Sequence, residues 1–242
     1  MRISTDAPMT ACRHAHMRSI GHTWMHACMM SLLFQILMKT IAVLSRKGGS
    51  AKTTTTVNLA VAAQLAGENV AIIDLDEQGS ATTWQSLHGA DAPTVIPATE
   101  KQLQDLLNAA QANGADLVLI DTPPHSKHLA VSAAKAADLV LIPCRPTLAD
   151  LAAITSSVEI CKLAKAKSIG VLTACRVRSP LTRQAEHAMA DAGLELPSVH
   201  IGDRVAYIHA FTQGKGVLET HPHEKAATEI RKLYAYIHAC VH

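Results

Sequence analysis

The chain has 242 residues, of which 48% are hydrophobic and 17% charged, and its formal net charge at pH 7 is +2. A charged fraction below the usual quarter, with ample aliphatic residues, predicts one domain with a sizeable core. The overall charge by itself does not predict a polyanionic partner. Two tryptophans, three tyrosines and two phenylalanines are too few to stack nucleic-acid bases, which excludes a base-stacking platform.

Residues 1–37 differ from the rest because they are dense in Met, His and Cys. We expect an extension from an upstream start codon, disordered or loosely helical, ahead of a domain over residues 38–242. Two alternatives remain open. One is a signal or anchor, although the apolar block at residues 29–37 is far shorter than a membrane span and lacks a small-residue cleavage site. The other is a metal site, although the Cys and His spacing fits no zinc pattern well.

The apolar runs of the remaining chain are separated by helix-length segments. This alternation is typical of parallel strands joined by right-handed helical crossovers, so the predicted fold class is α/β with a doubly wound, mostly parallel sheet. No repeat or Gly/Ser-rich linker marks a second domain. The predicted strands are residues 40–44, 70–75, 117–120, 139–142 and 169–172.

A glycine-rich loop, Lys-Gly-Gly-Ser-Ala-Lys-Thr-Thr, occupies residues 47–54. It lies between the first predicted strand and a helix-compatible segment at residues 53–66, which is the context that a phosphate-binding loop requires. Gly48 and Gly49 let successive N–H groups turn inward around an anion, and the helix N-terminus adds its positive dipole end. The loop therefore predicts a site for a triphosphate.

The side chains of this loop supply charge and a metal ligand. Lys52 reaches the outer phosphates, and Thr53 supplies a hydroxyl of the kind that ligates Mg²⁺. Lys47 comes too early in the loop to duplicate Lys52. The predicted nucleotide-binding residues of the loop are Lys47, Gly48, Gly49, Ser50, Ala51, Lys52, Thr53 and Thr54.

The full pattern resembles the deviant Walker A box of the ParA and MinD group of ATPases, and the chain is similar to small plasmid-type members of the ParA family. The resemblance implies a P-loop ATPase that is slow alone, and in which Lys47 crosses a dimer interface to the nucleotide of the other subunit. Ala51 stands where glycine is usual. If this position needs a left-handed backbone, the methyl group costs about 1–2 kcal/mol, which we expect to affect turnover more than binding.

The second predicted strand delivers Asp74 and Asp76 at its carboxyl end, where ligands bind in open parallel sheets. By resemblance, Asp76 orients the attacking water and Asp74 supports the metal shell. The alternative interpretation is a pair of strand-end aspartates that cap a loop.

The third motif is an apolar run at residues 117–120 that leads into Asp121, as in a strand buried on both faces. It resembles a Walker B strand, which implies that Asp121 holds a water of the Mg²⁺ shell. A capping aspartate is the alternative, and three motifs in the family's order favour the ATPase. The resemblance thus implies ATP and Mg²⁺ as cofactors, with Lys47, Lys52 and Asp76 as catalytic residues and Thr53, Asp74 and Asp121 as metal residues.

The six cysteines are scattered without a paired motif, which indicates a reduced cytoplasm. Some relatives with this loop hold an iron–sulfur cluster between two subunits, so Cys144, which follows a predicted strand, is a conceivable ligand. A second ligand at a matching strand end is not apparent. We therefore expect a buried structural cysteine.

Residues 160–185 carry six basic side chains and no acidic one, a local patch that could bind phosphates. A solvated helix face plus a loop is the alternative. The ParA resemblance implies nonspecific DNA binding by the ATP dimer, which would be strongly salt-sensitive. The predicted DNA-binding residues are Lys162, Lys165, Arg176, Arg178 and Arg183, and Lys167 lies in the same run.

The last part of the chain holds two further features. Residues 201–211 and 214–219 resemble the closing portion of small ParA proteins, which implies that Arg204 lies near the adenine and the dimer interface; pairing with Asp203 or Glu219 is the alternative. Residues 224–241 show helical spacing of apolar side chains, which predicts an amphipathic helix packed on the sheet. MinD-like relatives instead use such a helix to bind membranes.

The resemblance implies an ATP-dependent dimerising ATPase for plasmid or chromosome partition. We expect a cytoplasmic, nucleoid-associated protein that binds nonspecific DNA as an ATP homodimer and hydrolyses ATP when a ParB-type partner stimulates it. A MinD-like positioning ATPase on a membrane and an ATP-gated regulatory module with little hydrolysis are the alternatives.

Overall fold

A computed structural model describes residues 38–89 and 93–242, so the predicted extension at residues 1–37 lies outside the described residues. In the described part, six strands form one sheet in the spatial order β3-β2-β4-β1-β5-β6, and all neighbouring pairs are parallel. The predicted doubly wound α/β class is confirmed. The strands are β1 (Lys39–Val43), β2 (Val70–Asp74), β3 (Thr94–Pro97), β4 (Leu117–Asp121), β5 (Leu139–Cys144) and β6 (Ser168–Leu172).

Helices connect the strands and cover both faces of the sheet. A 3₁₀ turn at Glu100–Gln102 precedes α3, and three helices follow one another at the end of the chain. The helices are α1 (Lys52–Leu65), α2 (Ser80–His88), α3 (Leu103–Ala112), α4 (Lys127–Ala136), α5 (Leu148–Ala164), α6 (Pro180–Asp191), α7 (Val205–Thr212), α8 (Val217–Thr220) and α9 (Lys225–Val241).

The sheet has an apolar core on each face because successive strand residues point to opposite sides. On one face, Ile41 and Leu119 belong to a core that includes buried residues of α1 and α9. On the other face, Ala42 and Ile120 belong to a core that includes residues of α4 and α5. Double-sided burial explains why β1 and β4 have nearly continuous apolar runs instead of alternating ones.

The terminal helix α9 packs on the sheet as its apolar spacing predicts. Ala227, Ile230, Leu233 and Ile237 are all buried in the core that includes α1. The packing prediction is therefore confirmed. Within residues 38–89 and 93–242, none of the helices has the length and apolar character needed to cross a membrane.

One strand was not predicted from the sequence. The edge strand β3 is only four residues long, and of these only Val95 is buried. It also ends at Pro97, and a short run that contains proline does not indicate a strand by pattern alone. The other five strands agree with the predicted runs to within one or two residues at each end.

Candidate functional site

The phosphate loop joins the end of β1 to the start of α1 through two left-handed residues. Gly49 has φ 74° and Ala51 has φ 68°. Ala51 precedes the first turn of α1, and its carbonyl accepts the N–H of Thr55 at 2.9 Å. The condition for strain at Ala51 is thus met, because alanine occupies a conformation that favours glycine.

Lys52 is the first residue of α1 and is only 7% exposed. Burial lowers the pKa of its ammonium group, and the nearby carboxylates of Asp121 and Asp76 partly oppose that shift. The structure therefore brings together the predicted lysine and two of the three predicted aspartates. A buried cation in this place is held ready for an anionic ligand.

Asp121 lies at the end of β4, opposite Val43 of β1 and Asp74 of β2 in the sheet register. Thr53 donates its hydroxyl to Oδ2 of Asp121 at 2.6 Å, while the buried Oδ1 has no hydrogen-bond partner among the described residues. Burial raises the pKa of Asp121 to about 7, Asp74 and Asp76 add to the rise, and Thr53 and Lys52 oppose it.

These atoms fit a hydrated Mg²⁺ ion. A free carboxylate oxygen beside a threonine hydroxyl offers hard oxygen ligands, and Mg²⁺ keeps several waters while it binds one or two protein groups. The described part of the chain contains no group of three or more His, Cys, Asp or Glu that could hold a metal by itself. The site therefore suits an ion that phosphates and water help to hold.

Asp74 and Asp76 differ in how their carboxylates are used. Asp74 is buried; its Oδ2 accepts the N–H and the hydroxyl of Thr82, both at 3.2 Å, and its Oδ1 accepts the N–H of Asp76 at 3.1 Å. Asp76 is half-buried, and its Oδ1 accepts the N–H of Gln78 at 3.1 Å. Asp74 thus fixes the loop that carries Asp76, and Oδ2 of Asp76 remains available. A direct role of Asp74 in a metal shell stays a prediction.

Lys47 is half-buried at the start of the loop. Its backbone N–H lies 3.4 Å from Oγ of Ser45, and its ammonium group has neither a hydrogen bond nor an ion pair with any residue in the described ranges. The backbone of Ser50 in the same loop is held by a hydrogen bond, because its carbonyl accepts the hydroxyl of Thr173 at 3.1 Å. The loop is thus held in place while Lys47 stays available.

Arg204 borders a cleft of about 150 Å³ that Ala51, Thr54 and Tyr207 also line. The cleft therefore lies beside the phosphate loop, and a contact of Arg204 with a nucleoside stays a prediction. Nε and Nη2 of Arg204 donate to Oε1 of Glu229, whose Oε2 accepts the hydroxyl of Tyr207 at 3.0 Å. Tyr207, which lines the same cleft, and Glu229, which holds Arg204, are therefore candidate site residues that the sequence analysis missed.

The alternative partners expected for Arg204 are wrong. Asp203 pairs instead with Arg176 at 3.6 Å, and Glu219 pairs with His88 at 2.9 Å. No motif indicates the pairing of Arg204 with a glutamate 25 residues later. The pairing depends on how α9 packs beside the loop before α7.

The six basic residues predicted to form one patch lie in two places, which corrects that expectation. Strand β6 crosses the sheet between them, and its five residues span about 16 Å at 3.3 Å each. Both groups are exposed, and a DNA contact by either stays a prediction. Lys162, Lys165 and Lys167 precede β6, whereas Arg176, Arg178 and Arg183 follow it.

The three arginines lie around an open cleft of about 470 Å³, which Lys232 and Arg204 also line. Because the arginines follow the carboxyl end of a parallel strand, they lie at the same edge of the sheet as the phosphate loop. The lysine group lies at the opposite edge.

Cys144 is buried, as are Cys161 and Cys175. Burial raises the pKa of the Cys144 thiol to about 12, and nearby Asp150 and Cys175 add to the rise. The expectation of a buried cysteine is confirmed. Metals bind cysteine in its thiolate form, whereas this raised pKa keeps the Cys144 thiol protonated.

Residues 41–217 match the CobQ/CobB/MinD/ParA nucleotide binding domain. The chain is 34% identical over 184 residues to Maintenance of carboxysome distribution protein A of Gloeobacter kilaueensis, across 75% of this chain and 84% of that protein. It is 31% identical over 135 residues to the chromosome-partitioning ATPase Soj of Thermus thermophilus, across 44% of this chain and 54% of that protein.

Solved structures with the same fold include the septum site-determining protein MinD of Pyrococcus horikoshii complexed with Mg-ADP. Its TM-score is 0.68 at 20% identity, across 83% of this chain and 96% of that one. Apo McdA of Cyanthece has a TM-score of 0.68 at 19% identity, across 85% of this chain and 100% of that one. Because the family model matches more than half of this chain, the chain belongs to the CobQ/CobB/MinD/ParA nucleotide binding domain family and is a ParA-type ATPase.

Proposed function

We propose that this ATPase partitions a plasmid or chromosome by an ATP-dependent cycle on DNA. It forms a homodimer around ATP, binds DNA regardless of sequence in that state, and hydrolyses ATP when a ParB-type partner stimulates it. It is cytoplasmic and nucleoid-associated. The observation that carries the proposal is Lys47, a cation with no partner among the described residues beside an assembled phosphate site.

The chemistry proposed is phosphoryl transfer to water. The loop N–H groups and Lys52 would bind the phosphates, and Thr53 and Asp121 would hold Mg²⁺, which would neutralise phosphate charge. Asp76 accepts a hydrogen bond from the attacking water through its available Oδ2 and directs the water oxygen at the terminal phosphorus. The new P–O bond replaces the bond to the departing nucleoside diphosphate, the proton of the attacking water passes to the released phosphate, and Lys47 of a second copy stabilises the charge on the departing group.

DNA binding is supported by exposed charge on the nucleotide edge of the sheet. Arg178 and Arg183 make no ion pair with another described residue, and Arg176 makes one long contact of 3.6 Å to an exposed aspartate. Such groups attract phosphates at little desolvation cost. Dimer formation would place two copies of this charge together.

A second candidate cargo is favoured by the comparisons. Two carboxysome distribution proteins, of Gloeobacter kilaueensis and Halothiobacillus neapolitanus, are matched over 84% and 91% of their lengths, at 34% and 28% identity. The chromosome-partitioning ATPase Soj is matched over only 54% of its length. The same ATP cycle on DNA could therefore distribute carboxysomes instead of a plasmid or chromosome.

The membrane alternative finds less support. The apolar face of α9 that would enter a bilayer is buried in the protein core at Ile230, Leu233 and Ile237. The regulatory alternative depends on strain at Ala51 having silenced hydrolysis, and multiple-turnover phosphate release tests it. Sustained release supports the partition cycle, whereas a single turnover supports the gated module.

The test of the proposal is the molar mass of the full chain in solution with ATP, ADP or no nucleotide. We expect dimers only with ATP, an accumulation of ATP dimers in Asp76→Ala, and monomers in Lys47→Gln. Lys101→Gln removes an equal charge from an exposed turn and should behave as wild type. If the fraction of dimer with ATP is the same in Lys47→Gln as in wild type, the proposal is contradicted.

A further inference from the structure

We propose that Arg145 is a further nucleotide-binding residue, whose guanidinium contacts the phosphates of ATP bound to the same subunit. Arg145 follows β5, outside the three motifs that indicate the ATPase. The inference rests on the proposed nucleotide site at residues 47–54, and it adds a cation from another part of the chain.

The sheet places Arg145 beside the phosphate loop. Strands β1 and β5 are parallel neighbours, so the segments that follow them leave the sheet at the same edge. A Cβ atom added to Gly49 would lie 3.6 Å from Nη1 and 3.8 Å from Nη2 of Arg145. The guanidinium therefore lies against the left-handed glycine of the loop, within reach of what the loop binds.

A buried carboxylate fixes the orientation of this guanidinium. Nε and Nη2 of Arg145 donate to Oδ1 and Oδ2 of Asp150 at 3.2 and 3.1 Å, and Asp150 has a side chain that is 2% exposed. Thr147 donates its hydroxyl to the same carboxylate at 2.5 Å. A bidentate pair holds the planar group in one orientation, so little entropy is lost when it binds a further ligand.

The donors of Arg145 are not all used. A guanidinium has five N–H donors, and Asp150 accepts two of them. Nη1, the atom nearest Gly49, makes no hydrogen bond to any residue that the structure describes. Donors are therefore available on the side of Arg145 that is nearest the phosphate loop.

Two cations at the start of the loop, Arg46 and Lys47, also have donors without an acceptor among the described residues. Nη1 of Arg46 is buried without a hydrogen-bond partner in the described part of the chain, and the ammonium group of Lys47 is unpaired there as well. Buried donors without acceptors are costly unless a ligand satisfies them. A polyphosphate, with several charged oxygens in a row, is the ligand chemistry that suits the available donors of Arg145 beside this loop.

The test is a titration of the full chain, with Mg²⁺ present, by an ATP analogue that carries a fluorescent group on the ribose. We expect Arg145→Gln to weaken binding about tenfold or more, because it removes a charge-assisted hydrogen bond to phosphate. Arg145→Lys should recover part of the affinity. Since Arg145→Gln leaves Asp150 buried and unpaired, Arg145→Gln/Asp150→Asn is the second variant, and we expect the same loss in it.

The double variant separates binding from a structural role. If Arg145 only neutralises Asp150, then the double variant binds within about twofold of wild type, and the inference is overturned. Arg231→Gln removes an exposed arginine of α9 and serves as the matched loss of charge. Lys52→Gln tests the proposed site itself. Wild-type binding by Lys52→Gln would refute the proposed site, whereas loss in Lys52→Gln with retention in the double variant refutes only the role of Arg145.

Discussion

The phosphate loop and the loop that follows β6 both present cations at the carboxyl edge of the sheet, but they do so in different surroundings. Lys52 is 7% exposed and lies near two carboxylates, and Asp121 beside it has one buried oxygen without a partner among the described residues. Arg176, Arg178 and Arg183 are exposed, and among them only Arg176 has an ion pair within the described residues.

This difference in burial determines what the charges of each region can do. Buried charges are positioned and desolvated, so one altered atom should have a large effect on chemistry. Exposed charges are screened and replaceable, so their effects should be small, additive and dependent on salt. We therefore expect the largest effects in the buried region.

The largest effect is expected at Lys52. Lys52→Gln keeps a polar side chain but removes the buried charge, and we expect ATP turnover to fall at least about a hundredfold, as when a positioned donor to a developing charge is lost. Steady-state phosphate release measures this. A fall of less than about threefold would show that Lys52 does not act in the reaction.

The hydrogen bond from Thr53 to Asp121 predicts an effect on stability. Thr53→Val keeps the shape and removes the hydroxyl that donates to Oδ2 at 2.6 Å, which leaves the buried carboxylate without that donor. We expect the free energy of unfolding in urea to fall by about 1–3 kcal/mol. Thr53→Ser retains the hydroxyl and should lose less; equal losses in both variants would assign the effect to packing.

Burial elsewhere in the molecule predicts a pH dependence. Burial raises the pKa of Cys161 to about 11, above its ordinary 9.0. The stabilisation from the protonated thiol is therefore complete below pH 9 and is lost as pH rises towards 11, at a slope of about 1.4 kcal/mol per pH unit. Urea unfolding should show a steeper alkaline decline in wild type than in Cys161→Ala. Parallel curves above pH 9 would contradict this.

The smallest effect is expected at Ala51. Its left-handed backbone costs about 1–2 kcal/mol relative to glycine, so Ala51→Gly relieves this strain. The glycine also makes the unfolded chain more flexible, which offsets part of the stabilisation. We expect a net rise of up to about 1 kcal/mol in the free energy of unfolding, measured in urea. Lys165, at the end of α5, has φ 56°, so Lys165→Gly should stabilise similarly without changing ATP turnover.

An increase in ATP turnover by Ala51→Gly alone would show that strain in the phosphate loop slows hydrolysis. Equal turnover in Ala51→Gly and wild type would limit the strain to a cost in stability. Destabilisation by Ala51→Gly would contradict the strain itself.

Much of the fold and of the phosphate site was predictable because the evidence lies in short segments. Residues 47–54 combine glycines, lysines and threonines at fixed spacing, and the strands that deliver Asp74 and Asp121 are apolar runs. Local patterns of this kind depend on neighbours in sequence. The edge strand β3 lacks such a pattern, because only Val95 of its four residues is buried.

The rest depends on contacts between distant segments. Arg145 is one arginine after a strand, and only the pairing of β5 with β1 reveals that it lies against Gly49. Arg204 pairs with Glu229 through the packing of α9. The basic residues form one run in the sequence, but β6 carries the chain across the sheet between Lys167 and Arg176. A count of charges along the chain contains no information about that separation.

Binding of the full chain to nonspecific duplex DNA tests the central claim most directly, with ATP, ADP or no nucleotide across a salt series. We predict binding that requires ATP and weakens steeply with salt. Arg176→Gln/Arg178→Gln/Arg183→Gln should reduce the slope of log affinity against log salt by about 1 for each DNA phosphate that is no longer neutralised, and more than Lys162→Gln/Lys165→Gln/Lys167→Gln does. DNA binding that is equal with and without ATP, or absent in both, would contradict the ATP-switched account.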